Sequence, residues 1–403
     1  MFFEYLIVAL VGVGAGIITG LIPGLHINLV SVMVVSFSPK LLEYVSVPSL
    51  GIFVIAMSIT HTFLDIVPAI FLGAPESETV MAVLPGHQLL LEGKGYEAVK
   101  LTIIGALISL IIAIALFPIM VFGMPIVYDL IAFWVPYLLI IVMIIMVWME
   151  PNWEKRAWAT LIFFLSGVLG LIVLTYAPIE QPLLPMLSGL FGISMLTVSI
   201  FQKVKIPKQN ISDTIRIPAK EQIKAISAGT FSGTFVSFMP GLGPAQAAII
   251  GNALIGKISN YGFLILVGSI GTVNMVVSLV SWFSMDKARN GAVVALMELF
   301  EKIDLSLFLL FTVVALLAAG LAAYLSLFFA KVFCKMIEKV NYLWLCSAVI
   351  IFVTFMVFFF SSWLGLLVLI IGTAIGIIPN VVDVKRSHSM GCLILPVILF
   401  LML

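Results

Sequence analysis

Charged side chains are scarce in this sequence. Of its 403 residues only 19 are acidic and 20 are basic, or 10% in all, whereas 63% are hydrophobic. A soluble globular domain carries roughly a quarter of its residues as charged side chains, so this composition predicts an integral membrane protein rather than a soluble one. The net charge of +1 indicates no particular partner, and without a basic domain we do not expect binding to nucleic acid.

Signatures of catalysis and of metal binding are also missing. Cys334, Cys346 and Cys392 lie in or beside apolar runs without CxxC or Cys/His spacing, so we interpret them as small apolar side chains. No Walker sequence, dinucleotide fingerprint, GxSxG or HExxH occurs. We therefore expect neither an enzyme nor ATP-driven transport by this chain alone, and no cofactor or metal beyond a coupling ion such as Na⁺ or H⁺.

Long apolar runs fill most of the chain. At about 20 residues per crossing, they predict an all-α polytopic fold with roughly a dozen segments that cross or enter the bilayer. The stretch 202–224 is the exception, because it is polar and rich in lysine. By the positive-inside rule we expect it to be a cytoplasmic connector between transmembrane repeat 1 (1–201) and transmembrane repeat 2 (225–403).

The two halves repeat each other. "GVGAGIITGLIPGL" (12–25) aligns without gaps with "GTFSGTFVSFMPGL" (229–242), so that two glycines and the Pro-Gly pair coincide. Each half also ends in three apolar segments, 131–148, 157–176 and 183–201 against 342–360, 363–379 and 390–403. Corresponding loops have opposite charge character, which predicts that the halves are inverted, as in transporters built from structural repeats.

Pro-Gly pairs interrupt the apolar segments at the matched positions of both halves. Proline ends or kinks a helix, and freed backbone groups at membrane depth must be buried or line a wet cavity. A helix that restarts after Pro23-Gly24 or Pro240-Gly241 presents N–H groups suited to a carboxylate or a phosphate. A packing kink is the alternative. We predict re-entrant segments at a central anion site, with His26 and Asn28 as nearby polar groups of the first half.

Polar residues follow the matched turns of the second half. Gly243 and Gln246 come directly after the second Pro-Gly pair, and we include both in the predicted anion site. Lys287 and Arg289 could form a loop cluster of charges with Asp286, or they could supply cations to the anion if their loop re-enters the membrane.

Ionisable residues inside an apolar segment are costly and suggest function. His61 and Asp65 are four residues apart and so share a helix face. They could form a proton relay or ion-coupling pair, or only a structural hydrogen bond. We assign Thr60 to the same predicted ion-coupling set. In the second half, we expect a helix broken at Gly271, with Thr272 and Asn274 completing that set through oxygen atoms.

Three stretches resemble a known family. "GLIPG" (20–24), "FLGAPESETVMAVLPGHQLLLEGKGYEAV" (71–99) and "PLLPMLSGLFGISML" (182–196) are similar to the large membrane subunit of the tripartite tricarboxylate transporters. The resemblance covers the first half and is weak in the second, and this chain is shorter than usual members. It implies transport of carboxylates coupled to Na⁺ or H⁺, with Gly73 and Pro75 joining the site beside Pro23, Gly24, Asn28, Pro240 and Gly241. Ser77 belongs either to this site or to the polar first turn of a helix.

Three hypotheses follow from these observations. The first is a secondary transporter of an organic anion in the plasma membrane. The second is a translocase for a polyprenyl-phosphate lipid, since helix N-termini hold a phosphomonoester as readily as a carboxylate. The third is an intramembrane enzyme that uses His61 and Asp65. Possible partners are a second copy of the chain, a small membrane subunit and a solute-binding protein.

Overall fold

The computed structural model describes residues 1–403 except 1, 24–26, 75–78, 180, 202–206, 213, 216, 240–241, 301, 340–341 and 403. Its described residues form helices and no strands. The first half contains α1 (Phe2–Leu21), α2 (Ile27–Ser36), α3 (Ser38–Leu41), α4 (Val47–Leu64), α5 (Ile66–Leu72), α6 (Val80–Leu91), α7 (Gly95–Ala115), α8 (Phe117–Ile131), α9 (Val135–Trp148), α10 (Trp153–Leu171), α11 (Leu183–Leu187) and α12 (Ser194–Phe201). The second half contains α13 (Ala219–Phe238), α14 (Pro244–Ile255), α15 (Asn260–Met285), α16 (Gly291–Leu299), α17 (Leu305–Ile337), α18 (Tyr342–Val381) and α19 (Gly391–Met402).

Short 3₁₀- and π-helical segments connect or extend these helices. Ala132–Trp134 joins α8 to α9, Ile172–Tyr176 extends α10, Ser188–Ile193 joins α11 to α12, and Arg386–Met390 precedes α19. Within α18, Ser362 has φ 54° and ψ −158°, so the helical run breaks there. This break confirms the boundary predicted between the apolar segments 342–360 and 363–379.

Eight helices of the described chain are long and apolar enough to cross a membrane. They are Phe2–Leu21, Val47–Leu72, Gly95–Ala115, Trp153–Tyr176, Leu183–Phe201, Asn260–Met285, Leu305–Ile337 and Leu343–Val381. α8 and α9 meet at 78° and would form one further bent span. α6, α14 and the segment Arg386–Met402 are apolar but short. The fold is an all-α polytopic membrane protein, as predicted, and all three cysteines are free and buried.

In the first half, α1 packs along α4 in the same direction. A Cβ at Gly12 would lie 2.6 Å from the Phe53 carbonyl oxygen, and a Cβ at Gly16 would lie 2.6 Å from that of Met57. Side chains at these two positions would push the helices apart, so glycine sets their close approach.

The second half repeats this contact with the glycines that align in sequence. α13 packs along α15, where a Cβ at Gly229 would lie 2.7 Å from the Leu266 carbonyl oxygen and one at Gly233 would lie 3.2 Å from the Ile270 Cα. The aligned glycines therefore have a packing role in both halves.

An acidic residue at the matched position also ties each helix pair together. Glu4 Oε1 accepts hydrogen bonds from the Ser46 N–H (3.3 Å) and the Ser49 hydroxyl (2.6 Å) at the start of α4. Glu221 Oε1 accepts a hydrogen bond from the Ser259 N–H (2.8 Å) at the start of α15. The gap-free alignment places Glu4 opposite Glu221. Both carboxylates satisfy N–H groups that a helix leaves unpaired at its start.

A long helix of each half packs against the other half. α17 of the second half runs along α4 in the same direction, since Phe311 contacts Gly51 and the Ser326 hydroxyl donates to the Phe63 carbonyl (2.8 Å). The end of α4 therefore lies beside the C-terminal part of α17.

α7 of the first half runs in the same way along α15. The Tyr261 hydroxyl donates to Glu97 (2.7 Å) near the start of both helices, and the Thr272 hydroxyl donates to the Ala106 carbonyl (2.8 Å) further along. Lys331, late in α17, lies over the ring of Tyr96. α15 thus begins at the end of the bundle where α4 and α17 finish, so α4 and α15 run in opposite directions. Inversion of the two halves as whole repeats stays a prediction.

The connector is attached to this same end of the bundle. The Gln209 side chain accepts from the Gly95 N–H (3.0 Å) and donates to the Leu90 carbonyl (3.0 Å), while its own N–H donates to Glu338 (2.7 Å). α13 begins at Ala219, inside the predicted connector 202–224.

Three local predictions were wrong. The Pro-Gly pair at 85–86 predicts a helix break by the same reasoning as the two matched pairs, but it lies within α6, where a Cβ on Gly86 would come within 2.6 Å of Ile70. α15 continues through Gly271 without a break. The stretch 123–130, which has no basic residue and predicts an outside loop between two apolar segments, is helical and belongs to α8. In the first two cases we assigned to turns glycines that lie within helices.

Candidate functional site

A cavity of about 280 Å³ lies between the two halves. α6 and α9 form one side, α14 and the start of α15 form another, and the segment 385–387 closes it together with Phe191. Lys385 and Arg386 are the only charged residues among the described residues that line it. The cavity therefore offers a positive charge to an anion, in apolar surroundings that strengthen electrostatic attraction. We call it the central cavity.

Arg386 is held rigidly in the wall of the central cavity. Its side chain is buried, with 5% of the residue exposed. One terminal nitrogen donates to the Ser194 hydroxyl (2.9 Å) and the Gly376 carbonyl (3.2 Å), and the other donates to the Phe191 carbonyl (3.4 Å). These acceptors are neutral, so they orient the guanidinium without cancelling its charge.

The loop that carries Arg386 is fixed to the connection between α9 and α10. His388 Nε2 lies 3.0 Å from Glu150 Oε1 in a buried pair. Lys155 Nζ lies 2.5 Å from Asp383 Oδ2, and this hydrogen bond holds the pKa of the Asp383 carboxyl below its usual value. Contacts on both sides of Arg386 thus set its position.

Uncharged polar groups complete the central cavity. The Asn260 side-chain amide donates to the Gln88 side-chain oxygen (3.2 Å), which links α15 to α6 at the wall. Asn252 of α14 lines it as well. Val80 and Met81 bring the first turn of α6 to the wall, where the positive end of the helix dipole favours an anion. The arrangement can bind a carboxylate at its polar side and apolar carbon elsewhere.

Part of the predicted anion site lies outside the described residues. These positions are Gly24, His26, Pro75, Ser77, Pro240 and Gly241, together with the side chain of Asn28. Pro23 is described and is a half-buried residue of the turn that follows α1. A role for these residues in binding stays a prediction.

Other predicted anion-site residues have structural contacts. Gly73 ends α5 with φ +63°, and a Cβ there would lie 2.8 Å from the Met195 methyl group. The Gly243 N–H donates to the Gln246 side-chain oxygen (3.0 Å), which caps the start of α14. Glycine at position 73 is therefore required by the left-handed backbone and by packing.

Lys287 and Arg289 are exposed in the loop between α15 and α16, and neither lines the central cavity. The Lys287 ammonium lies 4.5 Å from the centre of the Tyr128 ring, while Asp286 pairs with Lys302 at 3.6 Å. These contacts favour the alternative of a loop cluster of charges.

The predicted ion-coupling residues separate into two groups. Thr60 packs against Gly16, and the Thr272 hydroxyl binds α7, so their described contacts join helices. Asn274 is half-buried in α15. His61 and Asp65 are both buried, and Asp65 lines a second, smaller cavity.

Sequence reasoning missed the residues that give the central cavity its charge. Lys385 and Arg386 lie between two apolar segments, where basic residues usually mark a cytoplasmic loop. No local motif marks Arg386 and His388 as buried, because the contacts of both side chains join distant parts of the chain. No group of three or more His, Cys, Asp or Glu that could hold a metal occurs in the part of the chain that the structure describes.

Comparison with known proteins identifies the family. The profile described as "Tripartite tricarboxylate transporter TctA family" matches residues 6–391. The chain is also 29% identical over 411 residues to "Uncharacterized protein MJ1079" of Methanocaldococcus jannaschii, an alignment that covers 98% of each protein. No solved structure matches. With its many apolar helices and a profile match over nearly its whole length, the chain belongs to the tripartite tricarboxylate transporter TctA family.

Proposed function

We propose that this protein is a secondary transporter of an organic anion of the di- or tricarboxylate type, coupled to Na⁺ or H⁺, and that the anion binds in the central cavity. The observation that carries the proposal is the buried, fixed guanidinium of Arg386 in a cavity whose described lining holds no acidic residue. The positive charge of the guanidinium attracts a carboxylate, and the apolar surroundings of the central cavity strengthen this attraction. Membership of a transporter family supports the transport class.

The proposal includes two inverted repeats that give alternating access. The order α1, α2, α4, α6, α7 corresponds to α13, α14, α15, α16, α17. α2 packs directly against α16, whereas the corresponding helices α14 and α6 face each other across the central cavity. An inverted-repeat protein that adopts one arrangement in one half can adopt the exchanged arrangement in the other. The described state would then be open at the end where α15 begins.

We assign this open end to the cytoplasm and the protein to the plasma membrane. The basic residues Lys208, Lys331, Lys335 and Lys385 support this orientation by the positive-inside rule. The name of the family describes tripartite systems, so we also propose a small membrane subunit and a solute-binding protein as partners, and a homodimer as the assembly to be tested.

The experiment that tests the proposal is binding to the purified full-length protein. Citrate, succinate, a monocarboxylate and a polyprenyl phosphate are titrated with and without Na⁺, and intrinsic tryptophan fluorescence and thermal unfolding are recorded. Saturable binding of a di- or tricarboxylate supports the proposal. Binding of the polyprenyl phosphate alone would support the lipid translocase instead, and no response to any compound would refute both.

A further inference from the structure

A second cavity of about 20 Å³ lies where helices of both halves meet. Thr62, Phe63, Asp65 and Ile66 from the α4–α5 segment, three residues of α7 and three of α15 line it, together with Thr79 before α6. A cavity of this size holds one water-sized occupant. We call it the small cavity.

The polar lining of the small cavity consists of oxygen groups. Asp65 joins α4 to α5, is 2% exposed, and is the only charged residue among the described lining residues. The threonines at 62, 79 and 102 contribute hydroxyl groups. A carboxylate at this depth attracts a cation, because the low dielectric constant of the apolar interior strengthens their interaction.

Two of these hydroxyl groups donate their protons to backbone carbonyls. The Thr62 hydroxyl donates to the Ser58 carbonyl (3.0 Å), and the Thr102 hydroxyl donates to the Val99 carbonyl (2.7 Å). Since each hydroxyl has one proton and two lone pairs, its oxygen remains an acceptor. Such oxygens can coordinate a cation in addition to these backbone bonds.

We propose that the small cavity binds a single Na⁺ through the oxygens of Asp65, Thr62, Thr79 and Thr102. Hard cations prefer oxygen ligands, and a single carboxylate matches one positive charge. Mg²⁺ keeps several waters and requires near-octahedral geometry, for which the space is too small. A proton would use the carboxylate alone and needs neither the cavity nor the hydroxyl groups.

The position of this site couples it to the central cavity. Thr79 lines the small cavity, while the next two residues, Val80 and Met81, line the central cavity. An ion that draws in Thr79 therefore positions the first turn of α6, which faces the anion. In this respect the inference rests on the proposed function, because it names the coupling ion and its site.

The test is a Na⁺ titration of the thermal unfolding of purified full-length protein, without any carboxylate and with choline replacing Na⁺ at constant ionic strength. A cation that binds only the folded state raises the melting temperature with its concentration. We expect this rise in the wild type. We expect Asp65→Asn to raise the half-saturating Na⁺ concentration more than about 10-fold, which corresponds to loss of one strong contact, and Thr102→Val to raise it several-fold.

Thr160→Val is the matched control, because the Thr160 hydroxyl also donates to its own helix (2.8 Å, to the Arg156 carbonyl) but is exposed on α10. Its Na⁺ response should equal that of the wild type. If Asp65→Asn does not fold, Thr102→Val and Thr62→Val carry the test.

Three results would overturn the inference. These are an unchanged Na⁺ response in the Asp65 and threonine variants, an equal response to K⁺ and choline, and a response to pH without any response to Na⁺, which indicates a proton or an ordered water only. Na⁺ is titrated without any carboxylate, so this inference and the proposed function can fail separately. Na⁺ binding here, with no anion binding in the carboxylate titration, would reject the proposed function and keep this site. Anion binding without Na⁺ binding would keep the proposed function and reject this site.

Discussion

Replacement of Arg386 by glutamine removes the buried positive charge from the central cavity and keeps a side chain of similar polarity. The guanidinium contacts three neutral acceptors and has its charge available to a ligand. A unit charge about 4 Å away, at an effective dielectric constant of about 20, interacts by about 4 kcal/mol before the cost of desolvation. A charge-assisted hydrogen bond retains about 1.5 to 3 kcal/mol of this as net affinity. Anion binding should therefore weaken about 10- to 150-fold in Arg386→Gln.

The assay is anion titration of the folded protein, with the folded fraction determined first by size-exclusion chromatography and thermal unfolding. Arg386→Gln leaves buried acceptors without their donor, so a lower melting temperature is expected as well. Arg386→Lys keeps the charge but not the planar fork, and it should recover part of the affinity. Arg156→Gln is the control, because Arg156 lies between Trp148 and Trp153 and does not line the central cavity. Equal affinity in Arg386→Gln and Arg156→Gln would refute the role of Arg386.

The remaining predictions concern packing and access. Gly170→Ala would place a Cβ 1.8 Å from a backbone oxygen of α19, whereas a Cβ at Gly14 meets no atom within 4 Å. In thermal unfolding, Gly170→Ala should lower the free energy of unfolding by about 1 to 3 kcal/mol, and Gly14→Ala should leave it almost unchanged. Glu221→Gln weakens the hydrogen bond to the start of α15 and should lower the melting temperature more than Lys257→Gln at an exposed position, and equal values would contradict this. Asn252→Cys should react with a membrane-impermeant maleimide from the cytoplasmic side, and bound anion should protect it. Val293 on α16 is fully buried, so Val293→Cys should not react from outside in the described state. The opposite labelling pattern would contradict the assigned open end.

Much of the fold could be predicted from the sequence because it depends on local patterns. Composition gave the membrane class, and the break at Ser362 followed from a polar pair between apolar runs. The aligned glycines predicted related segments, and the structure shows that Gly12 and Gly229 both face a neighbouring helix at close range. Glycine has two uses, in turns and in close helix packing. The sequence could not separate them at Gly86 and Gly271, because the choice depends on a partner distant in the chain.

The candidate site was harder to predict for the same reason. Arg386 becomes a cavity residue only because Ser194 and Gly376 accept its hydrogen bonds and because His388 pairs with Glu150. Each of these contacts joins distant parts of the chain, and no short motif records them. Asp65, by contrast, is a candidate from the sequence alone, because an acidic residue in an apolar helix is conspicuous by itself.

The most direct test of anion transport is uptake into proteoliposomes that contain the purified chain. Radiolabelled di- or tricarboxylate is supplied outside, and an inward Na⁺ gradient is imposed with no ATP and with pH and membrane potential clamped. We expect accumulation above the external concentration, which is lost when the gradient is dissipated and reduced in Arg386→Gln at equal reconstituted amounts. Uptake that stays at the level of empty liposomes, for a carboxylate that the same protein preparation binds, would contradict carboxylate transport by this chain.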